Sequence, residues 1–327
     1  MNRRDFLKTI AAYSAGAGAV ALGIHGILGK GSRLEANPLQ RAPLNFDQQG
    51  PGYRKISAHP DLVAVKGGKP ESMFDQGISQ LGGIDRFVSP GDRVVIKPNA
   101  SWNMEPEYAA TTNPKLMGRI VEHCKNAGAK KVYVIDHTLD PWRKAYDTSK
   151  IEREVKSAGG EIVPANSKGY YQESELPNAE ILSSVLVHEL ILEAEVFINV
   201  PILKHHGSTL VTSAMKNLMG VVWDRSSYHW RGLNQCIADF PLLRQPDVNV
   251  IDAYAVLMSG GPRGSSYRAE ITEKKMQILS TDIVAADTAA VKTWGADPSE
   301  VPYIGMAEAH GLGTSNLDSL NIKRLLV

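Results

Sequence analysis

Cysteine is scarce in this chain, and the motifs of the commonest catalytic chemistries are missing. The 327 residues include two cysteines, Cys124 and Cys236, too few for an iron–sulfur cluster, which takes about four thiolates. Cys124 falls in a helical pattern and Cys236 in an apolar one, so both read as buried thiols, with a disulfide as the alternative in an oxidising compartment. There is no H-E-x-x-H, no C-x-x-C and no spaced histidine pair, so no metal set is assigned. A nucleophile elbow, a Walker loop and a G-x-G-x-x-G are also absent, which disfavours hydrolases and nicotinamide dehydrogenases of known type. No basic stripe interleaved with aromatics appears, which argues against nucleic acid as a partner. Solenoid-period repeats and low-complexity tracts are missing as well.

What is present begins with Arg3 and Arg4, then Phe6, Leu7 and Lys8, then a weakly apolar run. Eleven of the 21 residues from Thr9 to Gly29 are Ala or Gly, a poor membrane span beside a Leu/Ile-rich one. Residues 1–30 have the form of a twin-arginine export signal. Such a signal implies the twin-arginine export machinery as partner, folding before export, and a working place outside the cytoplasm. Ala19-Val20-Ala21 is a candidate cleavage site and Leu34-Glu35-Ala36 a poorer one; an uncleaved signal would hold the protein at the membrane. Without Arg3, Arg4, Lys8 and Lys30, set against Asp5, the formal charge of +1 becomes −2. Residues 31–55, rich in Pro, Gly and Gln without periodicity, read as a linker or an extended arm.

From residue 56 to 327, strand and helix patterns alternate. The apolar runs "LVAVKG", "RVVIKP", "KVYVID", "EVFINVPIL", "DVNVIDAY" and "KMQILST" are separated by amphipathic stretches. That pattern predicts an α/β fold with a mostly parallel sheet covered by helices on both faces, as one domain or two closely fused lobes. In such sheets ligands bind beyond the carboxyl ends of the strands. The residues that follow the strands are therefore the candidates. They are Lys97 and Asn99 around Pro98, Asp136 with His137, Lys204 with His205 and His206, and Asp252 before a Gly260-Gly261-Pro262 turn.

The stretch "NVPILKHHGSTLVTSAMKNLMG" (199–220) stands out. Thr209, Thr212, Ser213, Lys216 and Asn217 fall at i, i+3, i+4, i+7 and i+8, the spacing of one helix face. This spacing predicts a helix starting near Thr209 with Ser208 as its N-cap and an anion favoured at its N-terminus. The hydroxyl face would then look into a site for a small anionic ligand. Lys97, Lys204 and Lys216 would clamp charge, Asn99 and Asn217 would orient the ligand, and His205 would serve as acid–base group near neutral pH. Asp252 is either a partner for Lys or His or a turn cap. Asp287, among small residues in "IVAADTAAV", either faces the site or pairs with a lysine such as Lys97 or Lys216.

Five phrases carry a family resemblance: "GDRVVIKPN", "AGAKKVYVIDH", "FINVPILKHHGSTLVTSAMKNLMG", "VIDAYAVLMSGGPRG" and "LSTDIVAADTAAVKTWGADPSEVPYIGMAEAHGLG". With them the chain resembles the bacterial and archaeal family called domain of unknown function 362. Some of its relatives carry an additional cysteine-rich ferredoxin-like segment, which is missing here. The "INVPILKHHG…MKNLMG" run is also similar to a segment in the N-terminal domain of lactate-racemase-like enzymes, which hold a nickel-pincer nucleotide. No cofactor is assigned to this chain. Two functions remain: an exported enzyme using lysine and histidine, and a non-catalytic ligand carrier or maturation factor for an exported redox protein.

Overall fold

The computed structural model describes residues 59–265 and 267–327. The twin-arginine segment 1–30 and the arm 31–55 lie outside the described residues.

Strand β1 (Leu62–Lys66) leads into α1 (Pro70–Gln80). β2 (Arg93–Pro98) stops at its proline, which has no N–H to give to a ladder. A long loop then reaches α2 (Pro114–Asn126). Asn113 caps α2 by accepting from the N–H groups of Lys115 and Leu116, with Pro114 in the first helical position. β3 (Lys131–Val134), α3 (Trp142–Thr148), α4 (Ile151–Ser157) and the short β4 (Glu161–Ile162) follow. β5 (Tyr171–Glu175) and β6 (Ser184–His188) form a separate antiparallel pair.

After α5 (Glu189–Glu193) comes β7 (Val196–Val200), continued past Pro201 by β8 (Ile202–His206) and β9 (Leu210–Thr212). Next are α6 (Ala214–Asn217), α7 (Leu233–Asp239), and the long strands β10 (Val248–Ser259) and β11 (Glu270–Ser280). α8 (Ile283–Trp294), α9 (Pro302–Ala309) and β12 (Ile322–Leu326) close the chain.

The central sheet runs β12-β1-β11-β10-β7-β2-β3-β4. β10, β7, β2, β3 and β4 are mutually parallel, and β11 alone is antiparallel to both neighbours. The fold is α/β with a mostly parallel sheet, as the alternating pattern predicts. Side chains alternate across it. Val94, Ile96, Ile198, Val200, Val248 and Val250 pack with α1, α2 and α4 on one face. Val95, Phe197, Ile251 and Ala253 pack with α6, α7, α8 and α9 on the other. Burial of each such side chain contributes about 1.5–3 kcal/mol, so one register slip would cost the whole row. Cys124 and Cys236 are buried free thiols, one in each layer.

One row breaks the apolar pattern. Lys97, Asn199, Asn249 and Ser280 are successive cross-strand partners on β2, β7, β10 and β11. All four are buried on the face covered by α6. The Asn side chains offset the cost of that burial by bonding one another. Asn199 donates to Asn249 Oδ1 (2.9 Å) and to the Ala214 carbonyl (3.0 Å).

The helix predicted from Thr209 starts later. Residues 202–212 form a hairpin, β8 and β9, with Lys204 opposite Thr212 and His205 opposite Val211. Thr209, Val211 and Thr212 are β-branched, and β8 is already held beside β10, so this segment pairs as strand. Helix begins only at Ala214 and lasts one turn. Ser208 therefore caps no helix. It is exposed in the hairpin turn, where its N–H donates to His206 Nδ1 (3.1 Å).

Candidate functional site

Because β2, β3, β7 and β10 run parallel, their carboxyl ends lie on one edge of the sheet. Beyond it a chain of buried polar contacts assembles. Lys97 Nζ meets Asp136 Oδ1 at 2.9 Å, Asn217 Oδ1 at 3.1 Å and the Pro98 carbonyl at 2.5 Å. Asn99 Nδ2 donates to the same Asn217 oxygen (3.0 Å). Lys204 Nζ donates to Asn99 Oδ1 (3.0 Å) and to the Ala110 carbonyl. Asp136, Lys97, Asn217, Asn99 and Lys204 thus form one continuous run.

Asn217 is its hub. Its Nδ2 donates to Asn199 Oδ1 (2.9 Å) and lies near the carbonyls of Lys97 and Pro98, while its Oδ1 takes two bonds. The side chain is fully occupied in holding protein groups, so its role is to position the lysines. Asp136 is fixed in turn by the Ala100 N–H on Oδ2 (2.7 Å). Close approach of the chain is also required. A Cβ on Gly220 would sit 2.1 Å from Asp136 Oδ1 and 2.7 Å from Lys97 Nζ. The Gly220 carbonyl accepts the His137 N–H (2.7 Å), tying the strand-end loop to the turn after α6.

Counting donors separates the three lysines. An ammonium has three N–H groups. Those of Lys97 are matched by three oxygens, and Lys204 has two oxygen acceptors. Lys216 is 8% exposed, and its single neighbour within bonding reach among the described residues is the Met219 thioether at 3.4 Å. Thioether sulfur is a weak acceptor.

The surroundings are cationic. Burial first, and the Arg225 charge after it, push Lys216 down to about 7. Lys204 falls to about 7, chiefly through burial, with Asp136 opposing and Lys97 and Lys216 adding to the fall. Burial also lowers Lys97 despite its Asp136 partner. His206 drops to about 2 through burial first, then through Lys216 and Lys204. Asp136 is the carboxylate that acts on Lys97, Lys204 and Arg225, and it does not act on Lys216.

Several sequence candidates stand elsewhere. His205 lies on the other side of β8 from Lys204 and His206, where its Nδ1 accepts the Gly261 N–H (3.1 Å). Of this adjacent pair, His206 is the one that Lys204 and Lys216 act on. Asp252 points to the α2 face and accepts from the Asn113 N–H (2.8 Å) and the Tyr254 N–H (3.1 Å). It lies inside β10 rather than at a turn, and it pairs with no Lys or His among the described residues. Thr209 and Thr212 are buried in the hairpin, and Thr209 Oγ1 bonds the Val211 carbonyl (3.0 Å).

Asp287 pairs with no lysine among the described residues. Its oxygens accept the N–H groups of Ala214 (2.5 Å) and Met215 (3.0 Å), so the start of α6 is already filled by a carboxylate. The anion expected at a helix N-terminus is this side chain.

Sequence reasoning missed Asn199, Asn249, Gly220 and Arg225. The first two carried a signal, since Asn is depleted in strands yet each sits inside a continuous apolar run. Two cavities, about 690 Å³ beside β5–β6 and about 580 Å³ among β1, β11, β12 and α8, are lined by other residues.

The family called Domain of unknown function (DUF362) matches residues 94–292, which contain every residue of this cluster. The chain belongs to the DUF362 family. Thylakoid-associated protein sll1697 of Synechocystis sp. is 24% identical over 243 residues, 72% of this chain and 73% of the relative. Among solved structures, the lactate racemase apoprotein from Thermoanaerobacterium thermosaccharolyticum aligns with a TM-score of 0.41 at 12% identity. That alignment covers 65% of this chain and 54% of the other, so this chain spans about half the length of that one.

Proposed function

We propose that this DUF362 protein is exported by the twin-arginine route and binds a small organic anion at the β2–β3–β7–β8 strand ends. The carboxylate or phosphate of the ligand is held by Lys216, with the remaining Lys204 N–H and Arg225 beside it. One observation carries this reading: Lys216 is buried without an oxygen acceptor among the described residues. A buried ammonium in that state is unfavourable until an anion joins it. The surplus of cations over Asp136 points the same way. An enzyme or a carrier both need such a site; the shifted lysines favour the enzyme, because an amine that titrates near neutrality can exchange protons with a ligand.

The test is titration calorimetry of the full chain with inorganic phosphate and with glycolate, wild type against Lys216→Ala. Loss of one charge-assisted hydrogen bond weakens binding by roughly 1.5–3 kcal/mol, a tenfold to hundredfold rise in Kd. The arm with the larger loss identifies the anion class. Equal affinity in the two proteins means that Lys216 does not hold the anion.

A further inference from the structure

We infer that Lys216 is a nucleophilic amine, and that the anion of this site is a small oxo acid which the amine captures as a Schiff base. This deepens the anion reading and rests on it. To attack a carbonyl, a lysine needs an unshared electron pair on nitrogen and room for a carbon in place of a proton. Lys97 has neither, because Asp136, Asn217 and the Pro98 carbonyl surround its Nζ. Lys204 is held by Asn99 Oδ1 and the Ala110 carbonyl. Lys216 touches no oxygen among the described residues, and Met219 Sδ at 3.4 Å competes weakly for it.

Among the described residues no carboxylate stabilises the charged form. The groups that act on Lys216, or are acted on by it, are Arg225, Lys204, His206 and His229, all basic. Desolvation beside other cations is the arrangement that keeps a lysine neutral and reactive near pH 7. With a value of about 7, Lys216 is half neutral at pH 7, against about one in a few thousand for an exposed lysine. The same cations that suppress the ammonium attract a carboxylate, so an acid bearing a carbonyl is oriented with its charge on Arg225 and Lys204 and its carbon toward Nζ.

The step balances without any further reagent. The neutral Lys216 nitrogen attacks the carbonyl carbon and forms an N–C bond. The carbonyl π pair moves to oxygen, which takes up the protons released by nitrogen. The C–O bond then breaks and water leaves, giving the imine.

The experiment incubates the full-length protein at pH 7 with glyoxylate and sodium cyanoborohydride, which delivers hydride to an imine and leaves carboxymethyl-lysine. Adducts are located by peptide mapping, and glycolate, which has no aldehyde or ketone carbonyl, is titrated in parallel. The expected result is one adduct per chain at Lys216, at least about tenfold above any exposed lysine. Lys216→Arg lacks the nucleophilic amine and forms no adduct at that site, whatever its glycolate affinity. Lys216→Met, which suits the thioether neighbour, loses both and serves as the folding control through its melting curve. Glycolate binding with no Lys216 adduct, or labelling no greater there than at exposed lysines, overturns the Schiff base and leaves the anion site standing. Absence of both glycolate binding and adduct overturns the two together.

Discussion

Gly220→Ala tests whether the Lys97–Asp136 pair is a closed structural unit. The added methyl would lie 2.1 Å from Asp136 Oδ1, 2.6 Å from Lys97 Cε and 2.7 Å from Lys97 Nζ. None of these atoms can yield easily. Asp136 is pinned by the Ala100 N–H and Lys97 by Pro98 and Asn217, and both side chains are almost fully buried. The methyl therefore separates the pair or displaces the turn after α6. Breaking a buried ion pair costs about 3–5 kcal/mol. At about 2–4 °C per kcal/mol for a domain of this size, melting falls by roughly 6–20 °C. Differential scanning calorimetry of the purified full chain reads this directly. Gly207→Ala, in the hairpin turn, is the control, because a methyl added there would meet no atom within 4 Å. An Asp136→Ala background removes the closest clash, so the Gly220→Ala cost shrinks there, as expected for coupled neighbours. A Gly220→Ala protein that melts within about 2 °C of wild type refutes the reasoning.

Lys216→Met removes an uncompensated buried ammonium, so the apoprotein becomes more stable at neutral pH. The folded-state value of about 7 lies below the unfolded value of 10.5, so the unfolded chain binds more protons between those limits. Wild-type stability accordingly rises with pH from about 7 to 10, and the advantage of Lys216→Met, largest below 7, vanishes as pH approaches 10.5. Urea melts across that range check both statements, and a constant difference at all pH values contradicts the burial of a titrating amine. For the export signal, replacing Arg3 and Arg4 by Lys leaves the protein in the cytoplasm while a general secretory control still leaves. Fractionation with immunodetection reads this, and unchanged export removes the twin-arginine assignment.

Much of the fold is legible in the chain itself. The runs "RVVIKP", "KVYVID" and "EVFINVPIL" are apolar through their centres, which suits a strand covered on both faces. Asn113-Pro114 marks the start of α2, and Asp282 the start of α8 by accepting the Ala285 N–H (2.8 Å). The 199–220 stretch misleads at its centre. Polar residues at 209, 212, 213, 216 and 217 fit a helical period, yet the segment is strand as far as Thr212. β pairing with a distant strand, which no local pattern reports, decides the hairpin.

The α/β class, the parallel core and the strand-end address of Lys97, Asn99, Asp136 and Lys204 are written in the chain's own pattern. These follow from periodicity and from the place of each residue after an apolar run, both of which are local. Which of these groups are taken up by one another depends on contacts between distant parts of the chain. Asn217 could be a ligand contact until Lys97, Asn99 and Asn199 are seen to fill it. Asp287 could neutralise a lysine until it is seen on the N–H groups of Ala214 and Met215. His205 and His206 are adjacent in the chain, but the two-residue period of β8 sends one to Gly261 and the other toward Lys204 and Lys216. Hydrogen-bond saturation and burial are sums over neighbours from distant parts of the chain, so the availability of Lys216 exists only after the chain has folded.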